Sequence, residues 1–187
     1  PAGLPGVPSL RDMAGMPDAA ADAVIASYQD AFSWFSRPDL ISVAAVQGHA
    51  VGAGFQLALA CDLRVLAQDA QFTMAETSRG IVPDLGGSGI LVDLVGYSRA
   101  LEICATGRRV GATEAYQLRL GEVVVPPAEL DATVADLVTA LLVAPRNAVV
   151  ETKALLQGAR GRSTAERLAA ERAAQLRRLR DLAGIGE

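Results

Sequence analysis

Two features of this chain could carry chemistry: a glycine-rich turn between a predicted strand and a predicted helix, and a carboxylate further on. The turn lies in Val43-Ala44-Ala45-Val46-Gln47-Gly48-His49-Ala50-Val51-Gly52-Ala53-Gly54-Phe55-Gln56. Glycines let the backbone approach a ligand closely and adopt positive φ. The helix that follows aims its unpaired N–H groups and positive dipole end at whatever occupies the turn, which suits an oxygen acquiring negative charge. A dinucleotide loop would use similar glycines, but Leu57 stands where the third glycine of that fingerprint belongs. No acidic residue follows at the right distance on a second parallel strand. Glu76 falls where a predicted strand gives way to a loop, a common place for catalytic groups.

The elements that must hold these residues follow from periodicity. Residues 1–18 are rich in Pro and Gly and are expected to form a loop. From Ala19 to Phe35 the apolar residues Val24, Ile25, Tyr28, Phe32 and Phe35 share one helical face, and Pro38 ends the helix. Ile41–Val46 is a short apolar run suited to a strand covered on both faces, as in α/β folds. Gly48–Gly54 reads as a tight turn, followed by a helix over Phe55–Cys61 and short strands at Leu63–Ala67 and Gln71–Met74. Pro83–Gly87 is a second turn. Helices are predicted around Ser88–Val95, 98–106, 113–119 and Ala128–Val143, with a strand at Glu122–Val125. Ser163 and Glu166 form a capping box that opens a last helix to about Leu182.

Composition restricts the function classes. Half of the residues are hydrophobic (51%), 20% are charged and only 4% aromatic, which fits helix-rich packing around one core. No apolar run reaches eighteen residues, and Pro1–Pro8 has no basic or sustained apolar region, so neither a membrane span nor a signal peptide is expected there. A net charge of −4 argues against nucleic acid as the partner. Cys61 and Cys104 lack metal-ligand spacing and read as buried free thiols of a cytoplasmic protein. His49, Asp84 and Ser88 do not form a hydrolase triad, because Ile90 occupies the position where a nucleophile elbow needs glycine.

The stretch Ile41–Gly89 resembles the core of the crotonase (enoyl-CoA hydratase/isomerase) family. The shared elements are Ala45-Val46-Gln47-Gly48, the glycine-rich turn, a helix ending at Cys61-Asp62, the Ala70-Gln71-Phe72 strand, Glu76, and Gly80 through Gly86-Gly87 in a G-x-x-P-x-x-G-G turn. Arg99-Ala100-Leu101-Glu102 with Thr106-Gly107-Arg108, and the segment Ala115–Val123, extend the resemblance to roughly residues 20–180. It implies an α/β crotonase fold, with a core over 1–125 that lacks its N-terminal strands and a helical oligomerisation region over 126–187. The implied ligand is an acyl-CoA thioester, with no separate cofactor or metal, and the implied assembly is a homotrimer or dimer of trimers. Seven arginines lie between Arg160 and Arg180; in the family this region lies near the CoA nucleotide, and they otherwise read as a solvated face.

Carried over position by position, the resemblance makes the Ala53 N–H one of two oxyanion-hole donors, with Gly52, Gly54 and Gln56 around the substrate. Glu76 falls at the catalytic glutamate, able to move a proton on the carbon next to the thioester carbonyl. Hydratases of the family carry a second glutamate where this chain has Gln56, and an amide cannot serve as a base. Asp84 stands where some isomerases of the family place an aspartate, although Pro-Asp also favours a turn in which the carboxylate bonds its own backbone. Double-bond isomerisation is therefore the leading expectation. A hydratase using Asp84, or an acyl-CoA binder without chemistry, are the alternatives. The A-G-x-D-L type motif that supplies the family's other oxyanion donor does not occur, so the chain is expected to be a fragment or a degraded form.

Overall fold

The computed structural model describes residues 8–184, which divide into two compact units: the chain up to Ser36 with Ser42–Leu130, and Arg37–Ile41 with the chain from Asp131. In the first unit, α1 (Leu10–Ala14) and α2 (Asp18–Ser33) precede β1 (Val43–Val46), β2 (His49–Val51), α3 (Ala53–Ala60), β3 (Leu63–Ala67) and β4 (Gln71–Thr73). Then come α4 (Gly87–Val95), α5 (Tyr97–Thr106), β5 (Arg109–Gly111), α6 (Ala112–Gln117) and β6 (Val123–Val125). The strands make two three-stranded sheets, β1-β3-β6 and β2-β4-β5. All pairs are parallel except β4 with β5.

Several expectations change. The predicted loop over residues 1–18 contains α1, and its portion at residues 1–7 lies outside the described residues. Ser9 and Asp12 cap α1 reciprocally, a local signal strong enough to override the surrounding Pro and Gly. The turn Gly48–Gly54 contains β2, whose three residues pair with β4 from His49–Gln71 to Val51–Thr73. A strand this short has no readable period; its partner creates it. The Ile41–Val46 run is not covered on both faces. Ala45 is exposed, and β1 pairs only with β3 among the described residues. β3 takes that central place, with Arg64–Ala67 all buried.

α2 presents Val24, Ile25, Tyr28 and Phe32 as its half-buried face, the stripe the spacing predicts, although none is fully buried. The core of the first unit is built from Phe55, Leu59, Leu66, Phe72, Met74 and Ile103. Phe55 and Phe72 pack with ring centroids 4.8 Å apart and planes tilted by 40°, so α3 is pressed directly onto β4. The Thr-Gly-Arg motif is structural. Gly107 caps α5 at φ 59°, and Arg108 pairs with both Glu102 and Glu114, joining α5 to α6. Those ion pairs hold both carboxyls below their usual range.

Arg64 is a buried cation that sequence patterning does not single out. It is 4% exposed and lies on β3. Its guanidinium donates to the carbonyls of Cys61 (2.7 Å) and Leu120 (2.9 Å), and more weakly to that of Ala58. Ala58 and Cys61 end α3, where carbonyls lack helical partners and the dipole is negative, so Arg64 caps the end of α3 opposite the glycine turn. Asp62 completes the anchor by accepting from the Ser42 N–H (2.8 Å) and hydroxyl (3.0 Å). Replacing Arg64 with leucine strands these buried carbonyls. The expected cost is about 3 kcal/mol, seen as a lowered urea midpoint relative to the wild type.

The second unit holds α7 (Leu130–Val143), α8 (Arg146–Gly158) and α9 (Thr164–Leu182). The capping box at Ser163 and Glu166 is present as predicted. Helix α8 is not among the predicted elements; its local start signal is Pro145 immediately before the first turn. Arg177 grips Glu151 with two bonds of 2.6 and 2.7 Å, and Arg178 pairs with Asp181. Among the described residues no single helix is long and apolar enough to cross a membrane.

Candidate active site

The first turn of α3 and the end of β4 are locked to one another by backbone geometry. Gly52 precedes α3 at φ 54°, ψ −115°, a conformation open to glycine. Its N–H donates to the Thr73 carbonyl at 2.8 Å, extending the β2–β4 ladder by one bond. Ala53 is then the first helical residue, and no side chain caps this end. Its N–H belongs to the group of amides that a helix leaves unpaired at its start. The strand that receives the Gly52 bond leads within three residues to Glu76, which opens a 3₁₀ turn over Thr77–Arg79.

Gly52, Ala53, Gln56, Glu76 and Asp84 all line one cavity of about 480 Å³. Pro8, which precedes α1, with Leu10 and Met13 of α1 and Tyr28 of α2, supplies an apolar wall. Gly54, predicted at the substrate, lines a separate cavity with Phe35 and Leu57 instead. The reason is helical rotation: one residue further along α3, the backbone has turned away from the Glu76 side.

Glu76 is 6% exposed. Its Oε1 accepts from the Gln56 side-chain amide at 2.7 Å, while its Oε2 is buried with no hydrogen-bond partner among the described residues. A Cβ added at Gly52 would stand 3.2 Å from Oε1, so the glycine also makes room for the carboxylate. Gln56 is fully buried, and its carbonyl oxygen accepts from the N–H groups of Leu85 (2.9 Å) and Gly87 (3.3 Å). Asp84 is half-buried in the intervening turn. Gln29 of α2 donates to its backbone carbonyl at 2.7 Å, and its carboxylate is not held by a side-chain bond among the described residues. Arg79 also lines the cavity. Burial, and secondarily the charge of Glu76, push the Cys104 thiol up, so Cys104 stays protonated near neutrality.

The arrangement brings the unpaired start of α3 and a shielded carboxylate to one half-open, mostly apolar cavity. Such a pair can draw a proton from an acidic carbon while the helix start receives the charge that develops on a neighbouring oxygen. His49 is exposed on β2 and lines the other cavity.

Comparison with known proteins agrees with the geometry. The family model for enoyl-CoA hydratase/isomerase matches residues 9–181. A candidate enoyl-CoA hydratase from Thermobifida fusca YX, solved in complex with CoA, is 54% identical and superposes with a TM-score of 0.88, covering 90% of this chain and 66% of that one. A structure of the same organism's protein with acetoacetyl-CoA gives a TM-score of 0.86, covering 87% and 64% at 54% identity. The peroxisomal fatty acid β-oxidation multifunctional protein of Arabidopsis thaliana is 46% identical over 92 residues, 49% of this chain and 13% of its own. The chain thus spans less than two thirds of the length of these relatives. With the family model matching nearly its whole length and the crotonase α/β fold in place, this chain belongs to the enoyl-CoA hydratase/isomerase family.

Proposed function

We propose that the protein transforms an acyl-CoA thioester by moving a double bond along the acyl chain. The observation that carries this reading is the shared cavity of the Ala53 amide and the Glu76 carboxyl, in which position 56 contributes an amide and not a second carboxylate. The CoA and acetoacetyl-CoA complexes of the Thermobifida fusca relative support the ligand class. In the proposed reaction the thioester oxygen accepts a hydrogen bond from Ala53. Glu76 removes a proton from C2 of a 3-enoyl-CoA, and the electron pair of that C–H bond passes into a dienolate whose charge rests on the thioester oxygen. Return of the electrons forms the C2–C3 double bond, the C3–C4 bond becomes single, and the proton is delivered to C4.

In this scheme Asp84, on the wall of the same cavity, assists Glu76 in carrying the proton from one carbon to the other. Asp84→Asn is expected to lower kcat by less than the ~10² that a principal acid–base residue contributes, with CoA affinity unchanged. The decisive assay offers the full-length protein a 3-enoyl-CoA and, separately, a 2-enoyl-CoA with water as the only co-reactant. Isomerisation of the first without hydration of the second supports the proposal. Hydration that disappears in Asp84→Asn would make the protein a hydratase in which Asp84 supplies the missing carboxylate. CoA binding without turnover of either thioester would make it a binder. A homotrimeric or dimer-of-trimers assembly and a cytoplasmic setting are part of the same proposal. Leu176, Leu179 and Leu182, exposed along α9, are the apolar surface that supports assembly.

A further inference from the structure

Gln56 makes contacts that its position on α3 alone does not require. Its side chain is fully buried and uses both ends of its amide, with the N–H₂ to Glu76 Oε1 and the oxygen to two backbone N–H groups of the turn that carries Asp84. The turn is built to close on it. A Cβ at Gly87 would lie 2.7 Å from Gln56 Cγ, so only glycine allows the backbone that near. Of the Glu76 carboxylate oxygens, one is occupied by this bond and the other is buried without a partner among the described residues.

We infer that Gln56 is a positioning residue for the proposed isomerisation: it clamps Glu76 and the Leu85–Gly87 turn into one unit and so fixes the carboxylate that carries the proton. The inference rests on the proposed function and adds to it the group that holds the carboxylate in place. The chemistry requires an amide here. Only a side chain that both donates and accepts can serve a carboxylate on one side and two N–H groups on the other. A hydrocarbon of similar length would leave two buried N–H groups unmet and Glu76 free to rotate. A carboxylate would satisfy the N–H groups but meet Glu76 with like charge.

That difference gives a test that a purely structural role would not pass. In Gln56→Glu, two carboxyl groups face each other at the distance of the present hydrogen bond, so the pair holds one proton until the pH is raised enough to remove it. While it holds the proton, the new side chain donates to Glu76 as the amide did. The charged and titratable groups around the pair are Asp84, Arg79 and Tyr28 at the cavity and the Cys104 thiol, all unchanged in the variant. The experiment measures 3-enoyl-CoA isomerisation against pH for the wild type, Gln56→Met and Gln56→Glu in the full-length protein, with free CoA affinity by calorimetry.

The expected result is a kcat reduced ~10² in Gln56→Met at every pH, as for a displaced catalytic group, with KM and CoA affinity within about twofold. For Gln56→Glu, the ratio of kcat to that of the wild type should fall from near one at acidic pH to the Gln56→Met level at alkaline pH. A Gln56→Met enzyme with wild-type kcat, or a Gln56→Glu enzyme whose ratio is flat with pH, overturns the clamp and leaves the isomerase reading standing. If Gln56→Met does not fold, the isosteric glutamate variant decides alone. A wild-type protein that isomerises no 3-enoyl-CoA overturns the proposed function, and the clamp falls with it.

Discussion

Glu76→Gln is expected to reduce isomerisation of a 3-enoyl-CoA by ~10²–10⁴ while CoA affinity stays within about twofold. The substitution keeps the shape of the side chain and leaves an oxygen that can still accept from Gln56, so the present 2.7 Å bond survives. The site therefore retains its packing against Gly52 and the turn at Leu85. What disappears is the capacity to take a proton, since the amide that replaces Oε2 is not a base at any accessible pH. A loss confined to kcat assigns Glu76 to the chemical step, because a group used only in binding would raise KM instead. A variant within threefold of the wild type would remove Glu76 from the mechanism and return the cavity to a binding role.

Gly52→Ala is expected to lower kcat/KM by ~10²–10³ for a different reason, the loss of the Ala53 amide from its place. Two constraints act together at this residue. Its backbone at φ 54°, ψ −115° lies where side-chain-bearing residues are strained by about 1–3 kcal/mol. An added Cβ would also sit 3.2 Å from Glu76 Oε1, closer than a carboxylate oxygen and a methyl group prefer. Relief requires the turn to shift, and the amide at the start of α3 shifts with it. Because the Gly52 N–H is bonded to Thr73, the disturbance reaches the strand that leads to Glu76. Thermal melting should show a modest loss of stability, far too small to account for the lost activity at 25 °C. Equal losses in the two measurements would reduce Gly52 to a folding requirement.

Both substitutions concern residues that were legible in the sequence, and the legibility has a physical basis. A strand that runs into glycines and then into an apolar helix produces an unpaired helix start whatever the rest of the chain does, and Gly52 and Ala53 occupy it as expected. The face of α2 formed by Val24, Ile25, Tyr28 and Phe32 was equally plain, because helical spacing is a local property. The capping boxes at Ser9 and Ser163 are local too, and the first of them is a signal for α1 that Pro- and Gly-rich composition masks. β2 and β5 lay beyond such reasoning. Three residues cannot display a period, and each of these strands exists through its ladder with β4.

The sequence by itself determined the family and the α/β class and pointed to Ala53 and Glu76, because those follow from residue type and order along a short stretch of chain. Only the tertiary structure decided that Gln56 would be wholly buried and bonded at both ends, that Gly54 would turn toward a different cavity, and that Arg64 would cap the far end of α3. Each of those outcomes depends on which segments distant in sequence meet across a few ångströms. Hydrogen-bond partners and burial are fixed by that meeting, and no local pattern of side chains encodes it.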